Sequence, residues 1–281
     1  MPTRPELPPT RALVWLYTPP AQRPVFAALC GIEAEIGASL KAGLDHAVAH
    51  ARLAWWGEEC ARTARGVPTH PLTQALAANF TAADELTALA QLSGFVDTAS
   101  WDLAAATYET RAQLRAYCGR WADAMIPPLL PAASADAAAI AAGCRTLGAL
   151  LHEMQLLAAL AEDARLGHLR LTLADLAAAS AAPEELARPP WSQALAALLR
   201  ARHRELREEL ARIVDGLPGP AQPQLRGLLV WARLASQQSR RCERALPRAP
   251  EPRDHHGSLD SWRAWVAARR AAAGHFALTE A

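Results

Sequence analysis

Residues 134–172 constrain this chain more than any other stretch. They read SADAAAIAAGCRTLGALLHEMQLLAALAEDARLGHLRLT, mostly Ala and Leu and without proline, so local propensity favours helix throughout. The spacing predicts one helix of about eight to nine turns. Ser134 is the expected N-cap, Asp136 an anion in the first turn where the helix dipole favours it, and Gly167 the C′ residue. A helix this apolar is buried on several sides. His152, Glu153, Gln155, Glu162, Asp163 and Arg165 nevertheless interrupt it. His152, Gln155, Ala159 and Asp163 are three and four apart and share a face. A polar line on an apolar helix predicts the wall of a cavity.

The remaining sequence predicts helices as well. Residues 25–41 carry Phe26, Leu29, Ile32, Ile36 and Leu40 at helical spacing, and 43–65 carry Leu53, Trp55 and Trp56. Residues 66–71 (GVPTHP) form a loop, and Pro71 opens a short helix. Thr81, followed by Asp84 and Glu85, starts another. Residues 97–127 predict one long or kinked helix. Further helices follow at 191–214, 223–246 and 258–272. The charged side of 191–214 (Arg200, Arg202, Arg204, Glu205, Glu208, Glu209) suits a solvated surface. Residues 258–272 predict an amphipathic helix with Trp262, Trp265 and Val266 on one side and Arg263, Arg269 and Arg270 exposed. Nothing alternates over a strand length, so the fold class is all-α. We read 1–24 as an irregular proline-rich leader with a short ordered piece at 13–17, 25–246 as a helical domain, and 247–281 as a linker and terminal helix.

Composition narrows the function. Lys+Arg is 29 against Asp+Glu 28, a net charge of +1, which recommends no nucleic-acid partner. Cys30, Cys60, Cys118, Cys144 and Cys242 lack CxxC spacing. That argues against a zinc site or a disulfide framework and fits a reducing cytoplasm. No secretory h-region or membrane-spanning run is visible.

Two stretches carry a family resemblance. Residues 49–76, AHARLAWWGEECARTARGVPTHPLTQAL, place Leu53, Trp55, Trp56, Glu58 and Glu59 before Gly66, Pro68, His70 and Pro71. Residues 162–172, EDARLGHLRLT, form the second, and 109–118, ETRAQLRAYC, add a tyrosine-bearing helix. Together they resemble the squalene/phytoene synthase family. The resemblance implies an isoprenoid-synthase-like helical bundle around a central cavity. Active members join two prenyl diphosphates head to head, using Mg²⁺ held by two Asp-rich motifs. Such metals neutralise the diphosphate as its C–O bond ionises, and an apolar cavity keeps water from the carbocation.

Against that pattern the acids are thin. The second motif has Ala159 where the family carries an aspartate, Ala158 for an arginine, Gln155 for an asparagine and His152 for a glutamine. His168, Arg170 and Thr172 replace an arginine, a tyrosine and a proline. The first motif is represented by Glu33 and Glu35, which point to different sides of a helix. The resemblance therefore leaves Glu33, Glu162 and Asp163 as metal ligands and His152, Gln155, Tyr108 and Tyr117 as substrate contacts. Each has a plain structural alternative. Glu33 and Glu35 suit a helix surface, Glu162 and Asp163 suit pairs with Arg165 or His168, and His152 with Gln155 suits a buried hydrogen-bonded pair. The tyrosines suit core aromatics.

Three readings follow. The first is a member with weakened or lost catalysis that binds an isoprenoid, another lipid or a protein partner; family members lacking the acids include assembly factors, one for mitochondrial complex I. The second is a working prenyl transferase with Mg²⁺ and an isoprenyl diphosphate substrate. The third is a structural helical protein without a cavity. The Trp/Arg terminal helix suits docking on the body of the protein first, and peripheral membrane contact second.

Overall fold

A computed structural model describes residues 7–41, 43–80, 85–130, 137–250 and 257–279. Among them it has twelve α-helices and no strand, and the all-α expectation holds. The helices are α1 (Pro9–Tyr17), α2 (Arg23–Gly37), α3 (His46–Ala64), α4 (Pro71–Ala77), α5 (Gly94–Leu103) and α6 (Arg111–Met125). They continue with α7 (Ala137–Ala158), α8 (Leu160–Arg165), α9 (Leu173–Ala178), α10 (Gln193–Asp215), α11 (Gln222–Ala245) and α12 (Ser258–Ala272). The expected caps at Ser134 and Asp136, and the start at Thr81 and Asp84, lie outside the described residues.

Local chemistry sets many of the ends. Asp45 caps α3, its carboxylate accepting from the N–H groups of Ala47 at 2.8 Å and Val48 at 3.3 Å. Thr172 caps α9 and Ser192 caps α10 in the same way. Proline occupies the first turn of α1, α2, α4 and α11, where a missing N–H is harmless. Gly167, at φ +89°, closes α8, with the His168 N–H returning to Asp163 O at 2.9 Å.

Helix α7 is the centre. It packs on α6, α10 and α11, and α11 in turn carries α1 and α12. Leu147, Leu150 and Leu151 of α7 are buried with Met125 of α6, Leu199 and Leu206 of α10, and Leu229 of α11. This apolar burial is the main force holding the helices together.

Three expectations change. The ordered piece expected at 13–17 starts earlier: Pro8 and Pro9 begin α1, which runs to Tyr17 and buries Arg11, Ala12 and Val14. The expected helix over 97–127 is two, because Ala105 turns left-handed at φ +47° and Thr110 caps a new start. The central helix also breaks. Ala159 (φ −94°, ψ +6°) ends α7 and α8 restarts at Leu160. No Gly or Pro marks that break; Asp163 is instead drawn to Arg170, which lies on the following segment.

Candidate functional site

A cavity of about 560 Å³ opens between α1, α2, α7 and α11. Leu151, Met154, Gln155 and Ala158 form its α7 wall, three and four apart on one face. Leu234 and Trp231 come from α11, Ala27 and Cys30 from α2, and Leu72 from α4. Arg11, Glu33, Gln155, Gln238 and Arg241 supply the polar groups. An apolar wall with a few polar anchors is the usual form of a small-molecule site.

Glu33 does not sit on a solvated surface. Its carboxylate pairs with the Arg11 guanidinium at 3.1 Å and accepts from Trp121 Nε1 at 2.8 Å. Arg11 itself lies over the ring of Trp231, 4.2 Å from the centroid, and 5.4 Å from that of Trp121. Glu35, two residues on, is exposed, as the helical rotation requires. Arg11 was invisible as a site residue because nothing in the sequence marks α1 as part of the core.

A second charged cluster sits behind the cavity. Arg170 donates through Nη1 and Nη2 to both oxygens of Asp102, at 2.6 and 3.0 Å, and through Nε to Asp163 at 2.9 Å. The Tyr117 hydroxyl donates to Asp102 at 3.1 Å and accepts from Arg170 at 3.3 Å. Burial works against the Arg170 charge, but the bonds to Asp102 and the charges of Asp102 and Asp163 outweigh it and hold the guanidinium well above its ordinary range. Burial raises the Asp163 carboxyl, and Arg170 pulls it back. Asp163 pairs neither with Arg165 nor with His168 but with Arg170. Glu162 is exposed.

His152 faces this cluster, not the cavity. Its ring stacks on Trp121 at 4.5 Å with 5° between planes, and on Tyr117 at 5.8 Å. Neither ring nitrogen has a hydrogen-bond partner, so no pair with Gln155 exists. Burial, then the nearby Arg170 and Arg11, push its pKa down to about 3, so the ring is neutral at physiological pH. Tyr108 and Tyr117 are buried; Tyr108 stacks on Trp101 and meets Tyr117 edge to face, and Tyr117 lies tilted against Trp101. Of the seven residues singled out, Glu33 and Gln155 line the cavity; His152, Tyr117 and Tyr108 lie in ring contact with one another outside its lining. Neither His152 nor Asp163 lines the cavity, which lies along the neighbouring face of α7.

The same pairing recurs on the far side of α7. Glu153 is 3% exposed and accepts from Arg202 Nε at 2.9 Å, with Arg115 Nε 3.8 Å away. Arg202 is thus buried, and Arg204 and Arg207 bond Glu243 of α11. The charged side of α10 is not simply solvated, because α10 packs on both α7 and α11.

The Trp-Trp-x-Glu-Glu stretch has a structural use. Trp56 is buried while Trp55 is 41% exposed. Glu59 is fully buried and ties down the 66–70 loop and the first turn of α4. It accepts from the N–H groups of Thr69 at 2.7 Å and His70 at 2.8 Å, and from the hydroxyls of Thr69 and Thr73. Burial alone would raise its pKa; these donors lower it to about 2.

These carboxylates do not fit a Mg²⁺ cluster as they stand. Among the described residues, no three His, Cys, Asp or Glu side chains converge on one point. Glu33, Asp102, Asp163 and Glu153 are each already neutralised by a guanidinium, where hard cations need free carboxylate oxygens.

The arrangement has known counterparts. A crystal structure of a dehydrosqualene synthase in complex with ligand superposes with a TM-score of 0.73, over 93% of this chain and 90% of that one, at 16% identity. A squalene synthase, HpnC from Alicyclobacillus acidocaldarius, superposes with a TM-score of 0.61, over 83% and 87%, at 20% identity. No curated protein sequence matches significantly. The likeness to the two structures shows the helical isoprenoid synthase fold. The sequence model of the squalene/phytoene synthase family matches residues 8–266, including α1, and the chain therefore belongs to the squalene/phytoene synthase family.

Proposed function

We propose that this chain is a family member that binds an isoprenoid or related lipid in its cavity without condensing two prenyl diphosphates. The observation that carries this reading is Arg170, whose guanidinium spans Asp102 and Asp163. A cation already occupies the acidic oxygen that a metal-bound diphosphate would require. Arg11 does the same at Glu33. A metal cluster there would have to displace two partly buried ion pairs and leave each guanidinium without its carboxylate, a cost of several kcal/mol per pair.

The cavity supports retention of a ligand. At about 560 Å³ it falls within the range of roughly 300–1,000 Å³ for small-molecule sites. Leu151, Met154, Ala158, Leu234 and Leu72 would cover an apolar chain, and burying such a chain contributes about 25 cal/mol per Å². Arg11 and Gln155 stand where a polar end group would lie.

Incubation with farnesyl or geranylgeranyl diphosphate and Mg²⁺ tests the first half. We expect no squalene or phytoene-type product above a heat-killed control; prompt Mg²⁺-dependent product defeats the reading. Thermal melts with farnesol, geranylgeraniol and squalene test the second half. At least one should raise Tm in the native protein and leave Ala158→Phe, which fills the α7 wall, unmoved.

A further inference from the structure

The C-terminal helix inverts the expected amphipathic arrangement. Its inward face is made of small residues, Ala264, Ala267, Ala268 and Ala271, each less than 9% exposed against α11. The bulky residues point out: Leu259 is 64% exposed, Trp262 58% and Trp265 49%. They are three apart, so they form one stripe along the helix. Burying them would have been the ordinary use of two tryptophans.

The surroundings of that stripe are cationic. Arg269 lies over the Trp265 ring, 5.7 Å from its centroid. Arg269, Arg270 and Arg240 are exposed, and Arg263 is half-buried. Arg233 of α11 feels the same cluster: burial first, then the charges of Arg240, Arg263 and Arg270, push its pKa down. The acid of α12, Asp260, is 1% exposed and turned inward to Arg241. The outer surface of α12 therefore combines exposed indoles and guanidiniums with no carboxylate. Arg241 also lines the cavity, so this face adjoins the cavity wall.

We propose that α12 and the adjoining part of α11 form the face with which this protein docks on an anionic lipid surface, Leu259, Trp262 and Trp265 entering the interface while Arg240, Arg263, Arg269 and Arg270 meet the headgroups. Indoles prefer the headgroup region of a bilayer, and each nearby arginine adds about 1 kcal/mol of attraction to an anionic leaflet. No helix among the described residues is long and apolar enough to cross a membrane, so the contact is peripheral. It stands whether or not the cavity holds a lipid.

Vesicle flotation tests it. The full chain should float with vesicles of phosphatidylcholine and phosphatidylglycerol at low salt, remain behind with phosphatidylcholine alone, and be released by high salt. The double variants Trp262→Ser/Trp265→Ser and Arg269→Glu/Arg270→Glu should each lower partitioning by about tenfold or more. Their melts should match the native protein, since these side chains are largely exposed. Val67→Ser/Arg65→Glu, on the α3 end, should float like the native chain. Failure of the native chain to float, or equal loss in that control pair, overturns the proposal. So does a dimer in sedimentation velocity that Trp262→Ser/Trp265→Ser dissolves without any vesicle binding, which would assign the face to a second copy.

Discussion

At the scale of single residues, the buried charges of this molecule do two different jobs. Glu59 closes a loop with short bonds from Thr69, His70 and Thr73. Glu59→Gln keeps the shape but loses the charge-assisted bonds, and we expect a loss of about 2–4 kcal/mol at neutral pH by urea unfolding. Its folded pKa, about 2, lies below the ordinary value of 4.5. The stabilisation is therefore complete above 4.5 and fades as pH falls toward 2. The gap between native and Glu59→Gln stability should close over that window. Arg170 instead holds two carboxylates off each other. Arg170→Leu leaves Asp102 and Asp163 facing without a cation, and should cost about 3–5 kcal/mol. Added Mg²⁺ should restore part of the Tm lost in that variant and leave the native Tm unchanged. An equal Mg²⁺ effect on both would show that Arg170 does not keep metal out.

At the scale of elements, the breaks matter more than the helices. The α5–α6 connection turns through Ala105 at φ +47°, with the Ala106 N–H bonded to Trp101 O at 3.1 Å. That is the left-handed C′ position that glycine normally takes, and a side chain there costs about 1 kcal/mol. Ala105→Gly should therefore raise stability by roughly 0.5–1 kcal/mol, measured as a shift in urea midpoint at unchanged slope. A central-helix alanine such as Ala142 changed to Gly should do the opposite by a similar amount. Gly94 works by contact instead: a Cβ there would meet the Arg120 carbonyl of α6. Gly94→Ala should push α5 from α6 and destabilise by about 1–3 kcal/mol. The turn at Ala105 and the break at Ala159 carry no Gly or Pro, so neither was legible in the sequence. By contrast Gly167 was, because it is the residue that a left-handed turn favours.

At the scale of the whole molecule, acid sensitivity should come from histidines as well as carboxylates. His152 and His203 are buried neutral, with pKa values down to about 3 and about 4. The unfolded chain binds their protons first, so stability is level above pH 6.5 and falls progressively below it. Replacing His152 by Phe, which keeps the stack on Trp121, should flatten that slope in melts between pH 6.5 and 4. The periodicity of apolar residues was enough to establish an all-α chain and the bounds of α10, α11 and α12 within a residue or two, because a 3.6-residue period is written locally. Leu53, Trp55, Trp56, Glu59 and the 66–71 loop were likewise enough to point to the family. Which carboxylate meets which guanidinium was not. Arg11 reaches Glu33 across 22 positions and Arg170 reaches Asp102 across 68; such pairs exist only once the helices are packed. Tertiary structure alone decided that the acids of the site are neutralised from within, and that the cavity runs along Leu151, Gln155 and Ala158 instead of beside His152. It also decided that the tryptophans of the last helix face out. Periodicity says which residues share a face, but which face is covered depends on what else arrives to cover it.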